Sequence, residues 1–260
     1  IDHFAECLTC YCPYAFVVIH LKELHYGQRF QKLIWRHFCE TEVHAQFAVS
    51  YAPQRKRNVK VSGFPGLDLM LERDRQRDDP WKLPATHKRV IWAPHHTIDD
   101  NKDFLSYSNF LEVCDLMFDI AQRFKDVLQI AFKPHPILKP VLYHHAEWGK
   151  EKTDTYYKKW AELENGQLEE GDYIDLFASS DALILDSASF MVEYLYTGKP
   201  VLFMKRDKNI TDRFNEFGKT VFDKLYTSAS NDDLFRFIEN TVVAGDDPMK
   251  QDRDAFFRGS

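Results

Sequence analysis

The sequence lacks long apolar runs. None of its 260 residues belongs to a run approaching the ~20 apolar residues that a membrane-spanning helix needs, so a transmembrane helix is not expected. The pattern of a secretory signal peptide is also absent. The chain begins at Ile1 and not at a methionine, which predicts that it is a piece of a longer protein.

Cysteine is scarce and odd in number. Five cysteines in a chain of this length do not indicate a disulfide framework. Cys7, Cys10 and Cys12 lie close together near His3, but no second Cys or Cys/His pair follows at a standard zinc spacing. The sequence therefore predicts reduced thiols in a cytoplasmic protein and no metal site.

Positive charge is in deficit, since the formal net charge is -6. Bulk charge of this sign does not favour nucleic acid or an anionic membrane surface as a partner. The P-loop, GxGxxG, GxSxG and HExxH motifs are all missing. Any site for an anion must therefore be a local concentration of positive charge and N–H donors. The chain is 44% hydrophobic, which is enough for a folded core.

The first 87 residues show a less regular pattern than the rest. Residues 28–49 are predicted to form an amphipathic helix, because apolar side chains recur there at roughly helical spacing: Phe30, Leu33, Ile34, Phe38 and Phe47. A short strand is predicted in "NVKVSG". The stretch 72–87 is highly charged and contains two prolines, which makes it the best candidate for a linker.

Strands and helices alternate after the predicted linker. Strands are expected in "RVIWAP", "DVLQIAF", "ALILD" and "PVLFM", with helices in "YSNFLEVCDLMFDIAQRF", "DTYYKKWAELE", "DYIDLFASS", "SFMVEYLYTG" and "NDDLFRFIENTVV". This alternation predicts an α/β fold with a parallel sheet and helices on both faces. The continuous apolar runs "ALIL" and "VLF" are typical of buried parallel strands.

A lysine and a histidine stand between prolines just after the strand "VLQIAF". Lys133 and His135 each precede a proline, and this holds each of them in extended geometry. That is a stiff way to aim a cation and an imidazole, and His135 can donate a proton to a phosphate or to a leaving group. The alternative is an ordinary turn that ends a strand.

Three unusual segments stand at the carboxyl ends of predicted strands, where open α/β sheets bind ligands. They are "WAPHHTID" with His95, His96 and Thr97, then "KPHP", then "DSAS". If their strands are neighbours, the histidines, Lys133 and the serines share one rim of the sheet. That convergence carries more weight than any single motif.

The segment "LILDSASFMVEYLYTGKPVLF" carries the most information. Asp186 ends a strand, and the small residues from Ser187 to Ser189 lead into a helix whose N-terminus presents free N–H groups to a phosphate. Glu193, one turn later, can accept hydrogen bonds from ribose hydroxyls or complete a capping arrangement. The alternative for either serine is a simple helix cap.

With these residues in view, the chain resembles the bacterial CDP-glycerol glycerophosphotransferase family, which includes teichoic-acid polymerases and primases. The resemblance runs from about residue 28 to the end. It rests on "ETEVHAQFA", "VSGFPGLD", "VIWAPHHT", "FKPHP" and "DALILDSASFMVEYLYTGKPVLF". The K-x-H-P and D-x-x-S segments, both on strand ends, are fairly specific together, whereas either alone is weak.

The resemblance implies a GT-B-like fold of two Rossmann-like halves. Residues 1–75 would be part of the N-terminal, acceptor-side domain, and residues 76–260 the C-terminal domain that binds the nucleotide donor. The implied reaction transfers glycerol phosphate, or a related polyol phosphate, from a CDP-activated donor to a hydroxyl of a cell-envelope or capsular polymer and releases CMP. No cofactor is implied.

The resemblance also implies roles for individual residues. His135 would be a catalytic or diphosphate-contacting histidine, while Ser187 and Ser189 would bind phosphate. Asp186 and Glu193 would shape the nucleotide pocket. The other candidates for contact with the donor are Lys133, His95, His96 and Thr97.

Two departures from the family pattern stand out. The family's D-Y-S-S is D-S-A-S here, and the W-H-G-T-P motif, whose histidine is thought to be the base for the acceptor hydroxyl, is absent. "LIWRHF" is not that motif, and His37 is expected to lie on a helix. No general base is therefore assigned.

Two other functions fit the same residues. One is a GT-B enzyme that acts on a nucleotide sugar, either a glycosyltransferase or a UDP-sugar epimerase, and donor preference separates it from the first. The other is a non-catalytic nucleotide-binding module, which the absence of the W-H-G-T-P motif favours. Because the chain shows no basic amphipathic helix, peripheral association with the inner face of the plasma membrane is expected only through regions outside it.

Overall fold

The first part of the chain builds a small parallel sheet. The computed structural model describes residues 7–72, 77–98 and 106–259, so His3 lies outside the described residues. Three strands pair in the order β1-β2-β3: Cys10–Tyr11, Arg36–Cys39 and Val59–Val61. Three helices accompany them: α1 (Lys22–Tyr26), α2 (Glu42–Tyr51) and α3 (Gly66–Leu71). Short 3-10 helices at Arg29–Lys32 and Pro53–Asn58 precede β2 and β3.

The second part builds a six-stranded sheet. Its strands are β4 (Lys88–Ala93), β5 (Leu128–Phe132), β6 (Gly166–Leu168), β7 (Ala182–Leu185), β8 (Val201–Met204) and β9 (Tyr226–Ser228). They are all parallel and lie in the order β6-β5-β4-β7-β8-β9. The chain runs outwards from β4 to β6 and then returns to β7 beside β4. Ligands of such sheets bind at this switch point, outside the carboxyl ends of the strands.

Helices connect the strands of the large sheet. They are α4 (Phe110–Arg123), α5 (Leu138–Tyr143), α6 (Gly149–Glu162), α7 (Ile174–Ser179), α8 (Ser189–Leu195), α9 (Glu216–Phe222), α10 (Asn231–Arg236) and α11 (Lys250–Gly259), with a π-helical stretch Phe237–Val243 after α10. Among the described residues, no helix has both the length and the apolar character needed to cross a bilayer.

The large sheet is buried on both faces. Ile91 and Leu183 belong to the hydrophobic cluster on one face, and Trp92 and Ile184 to the cluster on the other. Because successive side chains of a strand point to opposite faces, only continuous apolar strands can serve both clusters. The predicted α/β fold with a buried parallel sheet is confirmed.

Residues 13–20, which follow β1, lie against the second part of the chain. Ile19 forms an isolated β-bridge with Phe214. The side-chain amide of Asn215 donates to the carbonyl of Val17 at 2.7 Å. These contacts place the carboxyl end of the small sheet beside the large one.

The predicted helix over residues 28–49 is wrong. A 3-10 helix, strand β2 and helix α2 occupy that stretch, so His37 lies on a strand and not on a helix. Pairing of β2 with both β1 and β3 overrides the local apolar spacing, and a strand of four residues is too short to show its own alternation. Helix α2 begins at Glu42, where the hydroxyl of Thr41 accepts the backbone N–H of His44.

The stretch proposed as a linker is packed where it is described, from residue 77 onwards. Trp81 is buried and its indole N–H donates to Oγ of Ser179 at 3.0 Å. Arg77 pairs with Asp175 at 3.2 Å. The charge and prolines of this stretch therefore do not mark a free tether.

The strands and helices predicted after residue 87 are confirmed, with small differences at their ends. Strands β6 and β9 were not predicted, because three residues at a sheet edge carry too little apolar pattern to be recognised. All five cysteines are free thiols, of which Cys39 and Cys114 are buried.

Candidate active site

The strands that carry the three unusual segments are neighbours. Strand β4 pairs with β5 on one side and with β7 on the other. The loops after these strands therefore meet at the switch point, as the sequence predicted. They bring His95 and His96 beside His135 and the loop that begins at Asp186.

Three histidine rings form a cluster at this rim. The ring centroid of His96 lies 4.1 Å from that of His95 and 4.2 Å from that of His135. The His95 and His135 centroids are 5.1 Å apart. One ring nitrogen from each of the three lies within 4.8 Å of the others.

Backbone N–H groups orient two of these rings. The N–H of Ile137 donates to Nδ1 of His135 at 3.2 Å. The N–H of Thr97 points at Nδ1 of His95 at 3.4 Å, and the Thr97 hydroxyl lies 2.9 Å from the same nitrogen. A neutral imidazole that accepts at Nδ1 carries its proton on Nε2. Both rings are therefore set to donate from Nε2, and Thr97 positions His95.

His95 and His135 are both uncharged at neutral pH. Burial and the neighbouring histidines lower the pKa of His95 to about 2. Burial and His96 lower the pKa of His135 to about 4. An anion that accepts hydrogen bonds from these rings would favour their protonated forms and raise both values.

The donor arrangement fits an anion better than a metal ion. The spacing of the three nitrogens alone would suit a cation. A metal on Nε2 of His135, however, would move the ring proton to Nδ1, where it would face the N–H of Ile137. The existing hydrogen bond would be lost and two donors would face each other.

A cleft of about 290 Å³ opens beside His135. Its lining includes Lys133, His135, Tyr173, Ser187, Phe190 and Glu193, together with Tyr14 from the segment after β1. It thus collects residues from all three predicted segments, although from the first it takes Ala93 and Pro94 and not His95 or His96. Tyr173, Phe190 and Tyr14 were not predicted, although Phe190 stands next to Ser189 in the sequence.

Lys133 brings a cation to this cleft. Its side chain is buried, and Nζ donates to the carbonyl of Gly171 at 2.6 Å. Burial lowers its pKa, while the nearby Glu169 and Asp172 oppose that shift. An ammonium group has three donors, so the bond to Gly171 leaves others for a ligand.

Glu193 places a buried carboxyl group in the same cleft. Only 3% of the residue is exposed, and its Oε2 has no hydrogen-bond partner among the described residues. Burial raises its pKa to about 7, opposed by a hydrogen bond with the hydroxyl of Tyr173. A buried carboxylate oxygen without a partner is costly, so it is a natural acceptor for a ligand hydroxyl.

Asp186 does not line the cleft. It is fully buried, and its two oxygens accept the backbone N–H groups of His95 at 2.7 Å and Asn109 at 2.6 Å. Burial raises its pKa to about 7, while these hydrogen bonds oppose the shift. Asp186 therefore ties the loop after β4 to the start of α4. Ser189 begins α8, and its side chain lies outside the described part of the structure.

A second cleft, of about 180 Å³, adjoins the first. Tyr14 and Ala15 line both clefts. Tyr11, Phe16 and Tyr107 contribute aromatic rings to its lining. Two histidines, His25 and His95, also line it. No Lys, Arg, Asp or Glu appears among its described lining residues.

A protein-family model described as CDP-glycerol:poly(glycerophosphate) glycerophosphotransferase matches residues 37–240. No curated protein sequence matches the chain. Among solved structures, the wall teichoic acid polymerase TagF is similar, with a TM-score of 0.63 and 16% identity over 96% of this chain and 62% of that one. The chain thus spans less than two thirds of that relative's length.

A UDP complex of S. aureus MnaA and a UDP-GlcNAc 2-epimerase are also similar in structure. The S. aureus MnaA–UDP structure matches with a TM-score of 0.50 and 14% identity, covering 86% of this chain and 54% of that one. A UDP-GlcNAc 2-epimerase from Methanocaldococcus jannaschii, in complex with UDP-GlcNAc and UDP, matches with a TM-score of 0.50 and 15% identity, covering 80% and 54%. At these identities the likeness concerns the fold, which is GT-B-like.

Proposed function

Because the chain belongs to the CDP-glycerol:poly(glycerophosphate) glycerophosphotransferase family, we propose that it transfers glycerol phosphate from CDP-glycerol to a hydroxyl of a cell-envelope polymer. In a variant of the same reaction, the transferred group would be a related polyol phosphate. The acceptor hydroxyl loses its proton as its oxygen attacks the β-phosphorus, the bond from that phosphorus to the bridging oxygen breaks, and CMP and the proton are released.

The observation that carries this proposal is the cleft at the switch point. Its lining combines Lys133, the Nε2 donor of His135 and Ser187 with the unpartnered carboxyl oxygen of Glu193. Cations and N–H donors suit a diphosphate, and a buried acceptor suits ribose hydroxyls. The two halves of a nucleoside diphosphate thus find complementary groups in one cleft.

The proposed roles follow from charge. Negative charge grows on the equatorial phosphoryl oxygens and on the leaving CMP during transfer. Donors held rigidly at those oxygens stabilise the transition state. His135 is proposed as the catalytic residue that donates to the phosphoryl group or to the leaving phosphate. Lys133 and Ser187 are proposed to hold the diphosphate.

The second cleft is proposed to receive the hydroxyl-bearing end of the acceptor. Its aromatic lining without lysine or arginine suits a neutral polyol or sugar unit better than a phosphate. Since Tyr14 lines both clefts and the rings of His95 and His135 touch, a hydroxyl bound there would lie beside the donor diphosphate.

We also propose that the two sheets bind different substrates. Residues 1–75, with the small sheet, would serve the acceptor, and residues 76–260, with the large sheet, would hold the nucleotide. The proposed place of work is the cytoplasmic side of the plasma membrane, where a lipid-linked acceptor would be reached by peripheral association.

Calorimetric titration tests the donor assignment. The chain is titrated with CDP-glycerol, UDP-N-acetylglucosamine and CMP, and so are the Ser187→Ala variant and a matched Ser50→Ala control, whose serine lies exposed on α2. We expect saturable CDP-glycerol binding that weakens about tenfold in Ser187→Ala and is unchanged in the control.

Two outcomes would contradict the proposal. Preference for the uridine compound would favour a nucleotide-sugar enzyme related to the epimerases. Binding of CDP-glycerol without turnover by the full-length protein would favour a nucleotide-binding module.

A further inference from the structure

Each of the two clefts is lined by one residue whose buried polar atom lacks a hydrogen-bond partner. In the first cleft this atom is Oε2 of Glu193, and in the second it is the hydroxyl of Tyr107, a residue that is 1% exposed. Among the described residues, no other unpartnered buried side-chain atom belongs to the lining of either cleft. A buried tyrosine hydroxyl usually has a partner, and one without it is costly. The second cleft is therefore the place from which a ligand can supply that partner.

The backbone around Tyr107 is tied to the same groups that hold His95. The N–H of Tyr107 donates to Oγ1 of Thr97 at 2.9 Å, and this hydroxyl also lies 2.9 Å from Nδ1 of His95. Two residues later, the N–H of Asn109 donates to the carboxylate of Asp186, which also accepts the N–H of His95. Tyr107 and His95 are thus fixed relative to each other before any ligand binds.

The phenol of Tyr107 keeps its proton at neutral pH. Burial raises its pKa, and the guanidinium of Arg213, 5.8 Å from the ring centroid, opposes that shift only in part. A protonated phenol both donates and accepts hydrogen bonds, as an alcohol hydroxyl does. The described lining of the second cleft contains no lysine or arginine, so an alcohol suits it better than a phosphate or a carboxylate.

The ring of His95 stands between Tyr107 and the histidine of the first cleft. The Tyr107 and His95 rings meet edge to face with their centroids 5.7 Å apart, and the centroid of His95 lies 5.1 Å from that of His135. His135 lines the first cleft, whereas Tyr107 is not among the described residues that do so. A hydroxyl bound to Tyr107 is therefore held away from the donor phosphate and is not the hydroxyl that attacks it.

We propose that Tyr107 binds a second hydroxyl of the acceptor, next to the attacking one, and thereby selects polyols that carry neighbouring hydroxyls. This inference rests on the proposed transfer reaction and names the chemical class that its second cleft accepts. A site that hydrogen-bonds a substrate hydroxyl rejects an analogue without it, because the buried polar group of the protein is then left unpaired.

Two small alcohols that differ by one hydroxyl test the proposal. The full-length protein is supplied with CDP-glycerol and with either 1,2-propanediol or 1-propanol, and CMP release above the rate without alcohol is recorded. Tyr107→Phe removes the hydroxyl and keeps the ring. Tyr157→Phe is the matched control, because Tyr157 is also buried, has an unpartnered hydroxyl, has a cation (Lys139) over its ring, and is absent from the described lining of both clefts.

We expect the parent to prefer the diol by about tenfold or more in kcat/KM. In Tyr107→Phe, kcat/KM for the diol should fall about tenfold while that for 1-propanol stays nearly unchanged, so that the preference disappears. Calorimetry should show the parent's affinity for CDP-glycerol, and the thermal midpoint should not fall, because the lost hydroxyl made no hydrogen bond in the fold. Tyr157→Phe should keep the preference for the diol.

Several results would overturn this inference alone. They are a parent without preference for the diol, an unchanged preference in Tyr107→Phe, an equal loss with both alcohols, and the same loss in Tyr157→Phe. A lower thermal midpoint in Tyr107→Phe would also overturn it, since the hydroxyl would then have a partner within the fold. Transfer to neither alcohol by the parent would instead contradict the proposed reaction, and the inference would fall with it.

Discussion

The carboxylate of Asp186 accepts the backbone N–H of His95 at 2.7 Å. Asp186 follows β7 and His95 follows β4, so this hydrogen bond joins the two loops that meet at the switch point. His95 in turn contacts His135, which lines the proposed donor cleft. A residue that no ligand need touch thus holds the geometry of the cluster.

Asp186→Asn should cost both stability and donor affinity. The side-chain amide would turn an N–H towards the backbone N–H of either His95 or Asn109, and an unsatisfied buried donor costs about 1–3 kcal/mol. Chemical denaturation measures the first effect and calorimetry with CDP-glycerol the second. Asp181→Asn is the control, because Asp181 accepts the N–H of Arg89 at the other end of the sheet. If Asp186→Asn bound the donor as tightly as the parent, the positioning role would be excluded.

His135→Ala should abolish turnover without unfolding the protein. Loss of a general acid or of a transition-state donor lowers kcat by about hundredfold or more. The measurement is CMP release by the full-length enzyme, with the thermal midpoint recorded alongside. His144→Ala serves as the matched control, since His144 is exposed at the end of α5. Intact turnover in His135→Ala would remove this residue from the mechanism.

Glu193→Gln should stabilise the free protein while weakening nucleotide binding. The carboxylate is buried with one oxygen unpartnered, and its pKa is raised to about 7. A carboxyl whose pKa is raised on folding stabilises the fold below its unfolded pKa, and this contribution is lost as the pH rises through about 7.

The gain in the free energy of unfolding from the neutral amide of Glu193→Gln should therefore appear only above about pH 7. At about pH 8 we expect an increase of roughly 1–3 kcal/mol in the free energy of unfolding, and almost none at about pH 5. Denaturation at both pH values and titration with CMP make the comparison. Unchanged affinity for CMP would argue against contact between Glu193 and the nucleotide.

Glu40 should make the protein less stable as the pH rises from mildly acidic values towards neutrality. It follows β2, is 5% exposed, and burial raises its pKa to about 7. The folded state therefore holds a proton that the unfolded state has released, and the free energy of unfolding should fall as the pH rises towards 7. Denaturant titrations across this range should show a shallower slope in Glu40→Gln. The exposed neighbour variant Glu42→Gln should keep the parent's slope, and equal slopes in all three would contradict the expectation.

Local sequence predicted the elements that bury themselves on both faces. The runs "ALIL" and "VLF" are typical of strands between two apolar layers, and the prolines around His135 indicate a rigid strand end. The same reasoning failed at His37. There the apolar residues recur at helical spacing, but His37 forms part of a strand because β2 pairs with β1 and β3.

By itself, therefore, the sequence determined the α/β class, the strand ends that carry Lys133 and His135, and the resemblance to a family. Only the tertiary structure decided that Asp186 holds a neighbouring loop and that Tyr14 lines two clefts. The physical reason is that strand pairing brings together residues far apart in the chain, and neither burial nor hydrogen-bond partners can be read from local spacing.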